Sequence, residues 1–146
     1  LILFSRVLDG LDGAIARATA PTAFGAYLDI ICDYVFYAAI PLAFALLDPV
    51  RNGIAAAALL GSFCLTASSY LAFAALAAEL GMKTTARGAT GYFAAAGLME
   101  GGETIAFFIA FTLFPDHFAL LAWIFAGLCC ATALARSLAA RALLKP

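Results

Sequence analysis

The chain has 146 residues, of which 66% are hydrophobic and 12% are charged, and its formal net charge is −1. Soluble domains carry about 25% charged residues, whereas the mean hydropathy of this chain is +1.04. The composition therefore excludes an ordinary soluble domain and indicates an integral membrane protein. A net charge this small gives no indication of a nucleic-acid partner, and we expect none.

Five apolar stretches, separated by turn residues and charges, predict an all-α polytopic membrane protein. Each complete stretch exceeds the roughly 20 residues that cross a hydrocarbon core of about 30 Å. The first stretch begins without Met and is short, so we expect a chain truncated at its N-terminus, with six spans in the full-length protein. We treat residues 1–146 as one transmembrane domain. The five predicted spans cover residues 1–17, 25–47, 54–78, 92–114 and 118–138.

The Lys and Arg residues are distributed unevenly over alternate loops. Only Arg51 falls on one side of the membrane. Because basic residues accumulate in cytoplasmic loops, the other side, which includes the C-terminus, is predicted to be cytoplasmic. The basic residues assigned to that side are Arg17, Lys83, Arg87, Arg136, Arg141 and Lys145.

Four aspartates lie in the first two predicted spans. Asp9 and Asp12 are three residues apart, which puts both on one helical face. Asp29 and Asp33 are four residues apart and share a face in the same way. If the two spans form an antiparallel hairpin, Asp12 and Asp29 lie at the same depth, about 7 Å below the cytoplasmic end. Asp9 and Asp33 then lie at the same depth, about 12 Å below that end, so all four carboxylates can face one pocket.

Clustered carboxylates offer hard oxygen ligands, which suit Mg²⁺, Mn²⁺ or Ca²⁺ better than zinc or iron. Two ions about 3.5–4 Å apart would neutralise the cluster and support phosphoryl transfer. Gly13 and Gly25 allow close approach of a ligand or of another helix. In the simplest structural explanation, the glycines serve helix packing and the aspartates are protonated. A proton or ion pathway is the stronger competitor, because transporters also place carboxylates inside the membrane.

The same residues resemble the signature of the CDP-alcohol phosphotransferase family: Asp-x-x-Asp-Gly-x-x-Ala-Arg, a spacer, and Gly-x-x-x-Asp-x-x-x-Asp. Every fixed position is present, with a spacer of seven residues. The more usual spacer has about eight residues, and a one-residue loop difference leaves both helical registers intact. A family layout of six spans fits the chain if the first span is missing. The fixed positions are Asp9, Asp12, Gly13, Ala16, Arg17, Gly25, Asp29 and Asp33.

The resemblance implies a reaction and a role for each matched residue. Family members transfer a substituted phosphate from a CDP-linked donor, commonly CDP-diacylglycerol, to the hydroxyl of an alcohol, and they release CMP. By position, the four aspartates surround two Mg²⁺ or Mn²⁺ ions that hold the donor pyrophosphate, and Asp33 is the expected general base. Gly13, Ala16, Arg17 and Gly25 are expected at the nucleotide and the rest of the donor.

Three charged residues in the predicted spans are candidates for binding the acceptor. Glu100 and Glu103 share a face near the middle of the membrane. They either line the acceptor cavity or form a hydrogen-bonded strut between helices. Arg6 either pairs with Asp9 or Glu103 or binds an anionic acceptor, because an unpaired Arg inside a membrane is rare.

Lys83 and Arg87, four residues apart beside the cytoplasmic surface, are placed to take an acceptor phosphate. Basic residues there equally satisfy the positive-inside bias or bind anionic lipid. The sequence does not determine the acceptor alcohol.

We therefore expect a multi-pass membrane enzyme of phospholipid synthesis whose active site faces the cytoplasm. Its expected partners are CDP-diacylglycerol or another CDP-alcohol, a small alcohol acceptor and the bilayer, and a homodimer is left open. The alternatives are a cation-coupled transporter that uses the aspartate cluster and an inactive, truncated relative. The sequence does not distinguish Mg²⁺ from Mn²⁺.

Overall fold

A computed structural model describes residues 22–80 and 101–143, which form helices and their connections. Helix α1 covers Ala23–Leu47, and α2 covers Pro49–Glu79. Helix α3 covers Gly101–Leu113, and a 3-10 turn at Pro115–His117 leads into α4, Phe118–Leu143. Within the ranges described there is no β-strand.

Three of these helical segments are long and apolar enough to cross a membrane: α1, α2 and the segment Pro115–Ala142, which holds most of α4. Helix α3 is apolar as well but shorter. Large apolar side chains such as Val35, Leu46 and Ile54 are exposed, as expected of surfaces that face lipid. The prediction of an all-α polytopic membrane protein is confirmed. The first predicted span and residues 92–100 of the fourth lie outside the described residues.

Two predicted helix boundaries are wrong. Residues 49–53 are predicted as a loop, but α2 begins at Pro49. Pro loses no hydrogen bond at the first helical position, and the Arg51 backbone N–H donates to Asp48 Oδ1 at 3.0 Å, which caps the helix. Helix α4 continues to Leu143, past the predicted end at residue 138. The added residues include Ala139, Ala140, Arg141 and Ala142, which are all strong helix formers.

Helices α1 and α2 are antiparallel neighbours because the single residue Asp48 connects them. The side-chain amide of Asn52 donates to the Phe44 carbonyl oxygen at 3.0 Å, and Asn52 is only 4% exposed. At the same end of the bundle, Arg51 Nη2 donates to the Asp116 carbonyl oxygen, and Nη1 lies 3.5 Å from the Asp116 carboxylate. These contacts join the α1–α2 connection to the α3–α4 turn.

An aromatic core joins α1, α3 and α4. Phe44 stacks on Phe118 with ring centroids 4.4 Å apart, and Phe107 stacks on Phe125 at 4.4 Å. The core therefore fills the bundle near the Asp48 and Asp116 connections. Its fully buried aromatic residues are Phe108, Phe111, Phe118 and Phe125.

Helices α2 and α4 pack through small side chains. Small residues let two helix backbones approach closely, and Thr66 Oγ1 of α2 donates to the Cys129 carbonyl oxygen of α4 at 3.3 Å. The next turns of α4 bring Arg136 against α2. The buried residues along this face of α4 are Ala122, Ala126, Cys129, Thr132, Ala133 and Arg136.

Candidate active site

Two of the four aspartates predicted to form the site lie on α1. Asp29 and Asp33 are one helical turn apart, about 6 Å along the axis, so their side chains share a face. Asp29 is exposed and Asp33 is half-buried. Asp33 lies about 15 Å from the start of α1 at Ala23, inside a helix that is long and apolar enough to cross a membrane. The carboxylates therefore lie within a membrane-spanning segment and toward one of its ends.

Gly25 lies in the first turn of this helix. Thr22 is the N-cap, and its Oγ1 accepts the Gly25 backbone N–H at 3.1 Å. A Cβ atom added at Gly25 would lie 3.0 Å from the same hydroxyl oxygen, which is a tight contact. The tight contact with the Thr22 cap thus partly explains why position 25 holds a glycine.

The structure describes four of the predicted site residues, namely Gly25, Asp29, Asp33 and Glu103. The remaining candidates lie outside the described residues, so the pocket formed by all four aspartates stays a prediction. The described portion alone holds no group of three His, Cys, Asp or Glu side chains that could bind a metal ion. The candidates outside the described residues are Arg6, Asp9, Asp12, Gly13, Ala16, Arg17, Lys83, Arg87 and Glu100.

Glu103 lies in the first turn of α3, and its side chain is exposed. It is about 15 Å from the Leu113 end of that helix. The neighbouring residue Thr104 is buried at 8% exposure. The two roles predicted for Glu103, as part of the acceptor cavity or as a strut between helices, both stay predictions.

Arg136 is a polar residue of this region whose position differs from the prediction. It is predicted as one of the cytoplasmic loop cations, but it lies on α4 and is only 6% exposed. Its Nη1 donates to the Thr66 carbonyl oxygen at 3.0 Å and to Ser69 Oγ at 3.2 Å, both on α2. A signal was available, because residue 136 falls inside the predicted span 118–138, where an Arg needs a partner.

Two tyrosines lie near this arginine, and one of them is also near Asp33. The guanidinium carbon of Arg136 lies 5.5 Å from the centroid of the Tyr70 ring. Tyr34, the residue after Asp33 on α1, interacts electrostatically with Arg136, Tyr70 and Asp33. Helices α1, α2 and α4 therefore bring carboxylate, phenol and guanidinium groups into one region.

Such a set of groups can serve two chemical purposes. The oxygen donors of Asp29 and Asp33 fit hard divalent cations, and a carboxylate can also accept a proton. A guanidinium and tyrosine hydroxyls can donate hydrogen bonds to an oxyanion. The region is therefore suited to a reaction that brings a metal-bound anion and a second polar molecule together.

Comparison with known proteins agrees with this chemistry. The sequence model of the CDP-alcohol phosphatidyltransferase family matches residues 1–134 of the chain. The chain is also 44% identical over 136 residues to a protein of Escherichia coli (strain K12) described as inner membrane protein YnjF. The match covers 93% of this chain and 66% of that protein, so the chain spans about two thirds of its relative. No solved structure matches the chain.

Proposed function

This chain belongs to the CDP-alcohol phosphatidyltransferase family, and we propose that it transfers a phosphatidyl group from a CDP-linked lipid to the hydroxyl of an alcohol. The proposed donor is CDP-diacylglycerol, and the second product is CMP. The reaction would serve phospholipid synthesis in the membrane that holds the protein.

One observation supports the proposal most strongly: the complete family motif ends in two aspartates on a membrane-spanning helix. Eight fixed positions of the motif occur in order between Asp9 and Asp33. Asp29 and Asp33, the last two acidic positions, share one face of α1. Intramembrane carboxylates are costly and are usually functional.

The oxygen ligands on this face match the divalent ions that the family generally uses. In the proposed site, Asp29 and Asp33 act together with Asp9 and Asp12 to hold two Mg²⁺ or Mn²⁺ ions. Bound ions would offset the charge that builds on the phosphoryl oxygens and on the departing CMP. Gly13, Ala16, Arg17 and Gly25 would accommodate the cytidine nucleotide and the pyrophosphate.

Asp33 would act as the general base. A hydroxyl is a weak nucleophile at neutral pH, and a carboxylate within hydrogen-bond reach can accept its proton during attack. The acceptor oxygen forms a bond to the phosphorus that bears the diacylglycerol, the bond from that phosphorus to CMP breaks, and the hydroxyl proton passes to Asp33. The position of Asp33, one turn deeper than Asp29 along α1, lets the lipid tails stay in the bilayer while the headgroups react.

The proposed site faces the cytoplasm. Even with Arg136 removed from the loop cations, five basic residues fall on the proposed cytoplasmic side and one on the other. The end of α1 that carries Asp29 lies on the side with more basic residues. Water-soluble acceptors and CMP would therefore enter and leave from the cytoplasm.

The proposal is tested by CMP release from CDP-diacylglycerol in membranes that contain the full-length protein, with a panel of alcohols. We expect release that chelator abolishes, that Mn²⁺ or Mg²⁺ restores, and that Zn²⁺ alone does not restore, because all-oxygen sites suit hard cations. Membranes containing the Asp29→Asn variant are the matched control. CMP release that persists in chelator would contradict the metal site. If the folded protein released no CMP, the interpretation of the chain as an inactive relative of the family would be favoured.

A further inference from the structure

Tyr34 is a half-buried polar residue of α1 that the proposed mechanism does not use. It directly follows Asp33, the proposed general base. Nearer the start of α1, the side chains of Phe24, Tyr27 and Ile30 are exposed, whereas Asp33 and Tyr34 are half-buried. Among the residues described, partial burial of α1 therefore begins at the turn that carries Asp33. The residues that pack at this turn influence where the Asp33 carboxylate points.

The ring of Tyr34 is connected to the aromatic core. It meets the ring of Tyr37 edge-on, with centroids 6.5 Å apart and an interplanar angle of 85°. The ring of Tyr37 in turn packs against Phe63 of α2 at 6.4 Å and Phe108 of α3 at 5.9 Å. Edge-to-face pairs at such distances are favourable. One side of Tyr34 is thus held, through Tyr37, by a core that joins three helices.

A polar cluster on α2 and α4 lies near Tyr34. Arg136 is buried, and its Nη1 donates to the Thr66 carbonyl oxygen at 3.0 Å and to Ser69 Oγ at 3.2 Å. Ser69 Oγ donates to the same carbonyl oxygen at 2.8 Å. The guanidinium carbon lies 5.5 Å from the ring centroid of Tyr70. These four residues form the Arg136 cluster, in which shared hydrogen bonds hold α2 and α4 in a fixed relation.

Tyr34 lies between this cluster and the proposed base. It is within electrostatic range of Arg136 and Tyr70 on one side and of Asp33 on the other. Its hydroxyl can both donate and accept a hydrogen bond. The aromatic core and the Arg136 cluster therefore act on one residue of α1, and that residue is covalently joined to Asp33.

We propose that Tyr34 is a positioning residue, which ties the Asp33 turn of α1 to the Arg136 cluster and to the aromatic core. The inference rests on the proposed phosphatidyl transfer with Asp33 as the base. A general base must come within about 2.6–3.2 Å of the hydroxyl whose proton it accepts. Displacement of a reacting group by about 1 Å can cost about 10²-fold in rate. Tyr34 would therefore affect the rate through the orientation of Asp33, without touching either substrate.

Removal of one hydroxyl tests this role. Tyr34→Phe keeps the ring contact with Tyr37 and loses only the polar connection. We expect kcat for CMP release, per folded molecule of the full-length enzyme, to fall about 10-fold, with the donor and acceptor KM values within about twofold of wild type. Tyr27→Phe is the matched control, because it removes the hydroxyl of an exposed tyrosine on the same helix, and it should change none of these values.

Two results with Tyr34→Phe would overturn the proposal. The first is a kcat equal to that of the wild type, which would leave the hydroxyl without a role in the reaction. The second is a higher acceptor KM at unchanged kcat, which would place the hydroxyl at the substrate and not behind Asp33.

A double-mutant cycle tests whether Tyr34 acts together with Arg136. We expect Arg136→Gln to lower kcat as well, because it removes the charge at the centre of the cluster. The double variant Tyr34→Phe, Arg136→Gln should have a kcat within about twofold of the slower single variant, because residues that act as one unit are not additive. Single effects that multiply in the double variant would overturn the connection between the two residues.

A distance measurement reports on the Asp33 turn without any turnover, and it covers a variant that has lost activity by poor folding. Spin labels are attached to Cys32 on α1 and to Leu138→Cys on α4, both exposed positions. We expect Tyr34→Ala to broaden the distribution of distances between the labels and Tyr27→Ala to leave it unchanged. An unchanged distribution in folded Tyr34→Ala would overturn the proposal. The remaining cysteines are replaced by alanine in every labelled protein, namely Cys64, Cys129 and Cys130.

The outcomes distinguish this inference from the proposed function. Absence of CMP release by the wild type with every acceptor would contradict phosphatidyl transfer, whereas broadening that depends on Tyr34 would still support its hold on the α1 turn. A fully active Tyr34→Phe enzyme would leave phosphatidyl transfer standing and overturn the positioning role.

Discussion

A substitution at Asp33 can test a role in proton transfer separately from a role in stability. Its side chain is half-buried on α1, so an isosteric amide fits the same space. We expect Asp33→Asn to lower kcat for CMP release by about 10²- to 10⁴-fold, because an amide cannot accept the hydroxyl proton. The Tm and the binding of CDP-diacylglycerol should stay near the wild-type values. Assays of CMP release, thermal unfolding and donor binding on the same preparation check this.

The control for this variant is Asp48→Asn. Asp48 caps α2 at the other end of the bundle, and Asn caps helices as well as Asp does, so both stability and activity should be retained. Full activity in Asp33→Asn would remove this residue as the base. Loss of donor binding in the same variant would instead make Asp33 chiefly a metal ligand.

The glycine at position 25 can be explained by the helix cap or by the space that the nucleotide needs. We expect Gly25→Ala to raise the donor KM at near-normal Tm and Gly25→Leu to block turnover, because larger side chains would enter the space of the cytidine diphosphate. Overpacking of this kind would weaken the binding of the donor by about 1–3 kcal/mol. Melting temperature and CMP-release kinetics on the same purified variants measure both effects.

Thr22 provides the control that separates the two explanations. An added methyl at position 25 would lie 3.0 Å from Thr22 Oγ1, so part of any effect could come from crowding of the cap. In a Thr22→Ala background that contact is relieved, and the rise in donor KM should persist. If Gly25→Ala changes the KM only when Thr22 is present, the glycine serves the cap and not the nucleotide.

At the scale of elements, the α1–α2 hairpin depends on Asn52. This buried side chain on α2 donates to the Phe44 carbonyl oxygen on α1. We expect Asn52→Ala to lower the free energy of unfolding by about 1–3 kcal/mol, the usual cost of losing a buried hydrogen bond. Activity per folded molecule should be retained, because Phe44 lies about 17 Å along α1 from Asp33. Denaturation in detergent, with CMP release measured in parallel, checks this.

The matched control is Val50→Ala, two residues away on the same helix. Val50 is 97% exposed, so truncation should change the stability by less than about 0.5 kcal/mol. An Asn52→Ala protein as stable as Val50→Ala would contradict the role of the amide in holding the hairpin.

For the whole molecule, the distribution of basic residues predicts how the bundle sits in the membrane. We expect Val50→Cys to react with a membrane-impermeant maleimide added to the outer face of the membrane. Arg141→Cys should react only after the inner face is made accessible, because Arg141 belongs to the side with the excess of basic residues. Both variants are made with the four native cysteines replaced by alanine and are assayed by labelling of intact and opened vesicles. The opposite labelling pattern would place the aspartates on the outer side.

Features that depend on local properties follow from the amino-acid sequence alone. Apolar stretches long enough to span a bilayer predicted α1, α2 and α4, because hydropathy and length decide membrane insertion. The spacing of Asp29 and Asp33 placed both on one face, because helical periodicity fixes their register. The same local information predicts a loop at Pro49, whereas Pro49 is the first helical residue of α2 after the Asp48 cap.

Contacts between residues of different helices become visible only in the folded bundle. The partners of Arg136 on α2 lie 70 and 67 residues away in the sequence, so no local pattern links them. The same holds for the stacking of Phe44 on Phe118, which joins α1 to α4. Small residues on α2 and α4 allow the close packing that removes Arg136 from water. A residue predicted as a loop cation is thereby buried and hydrogen-bonded to α2, because burial and pairing depend on how helices pack and not on the residue's own segment.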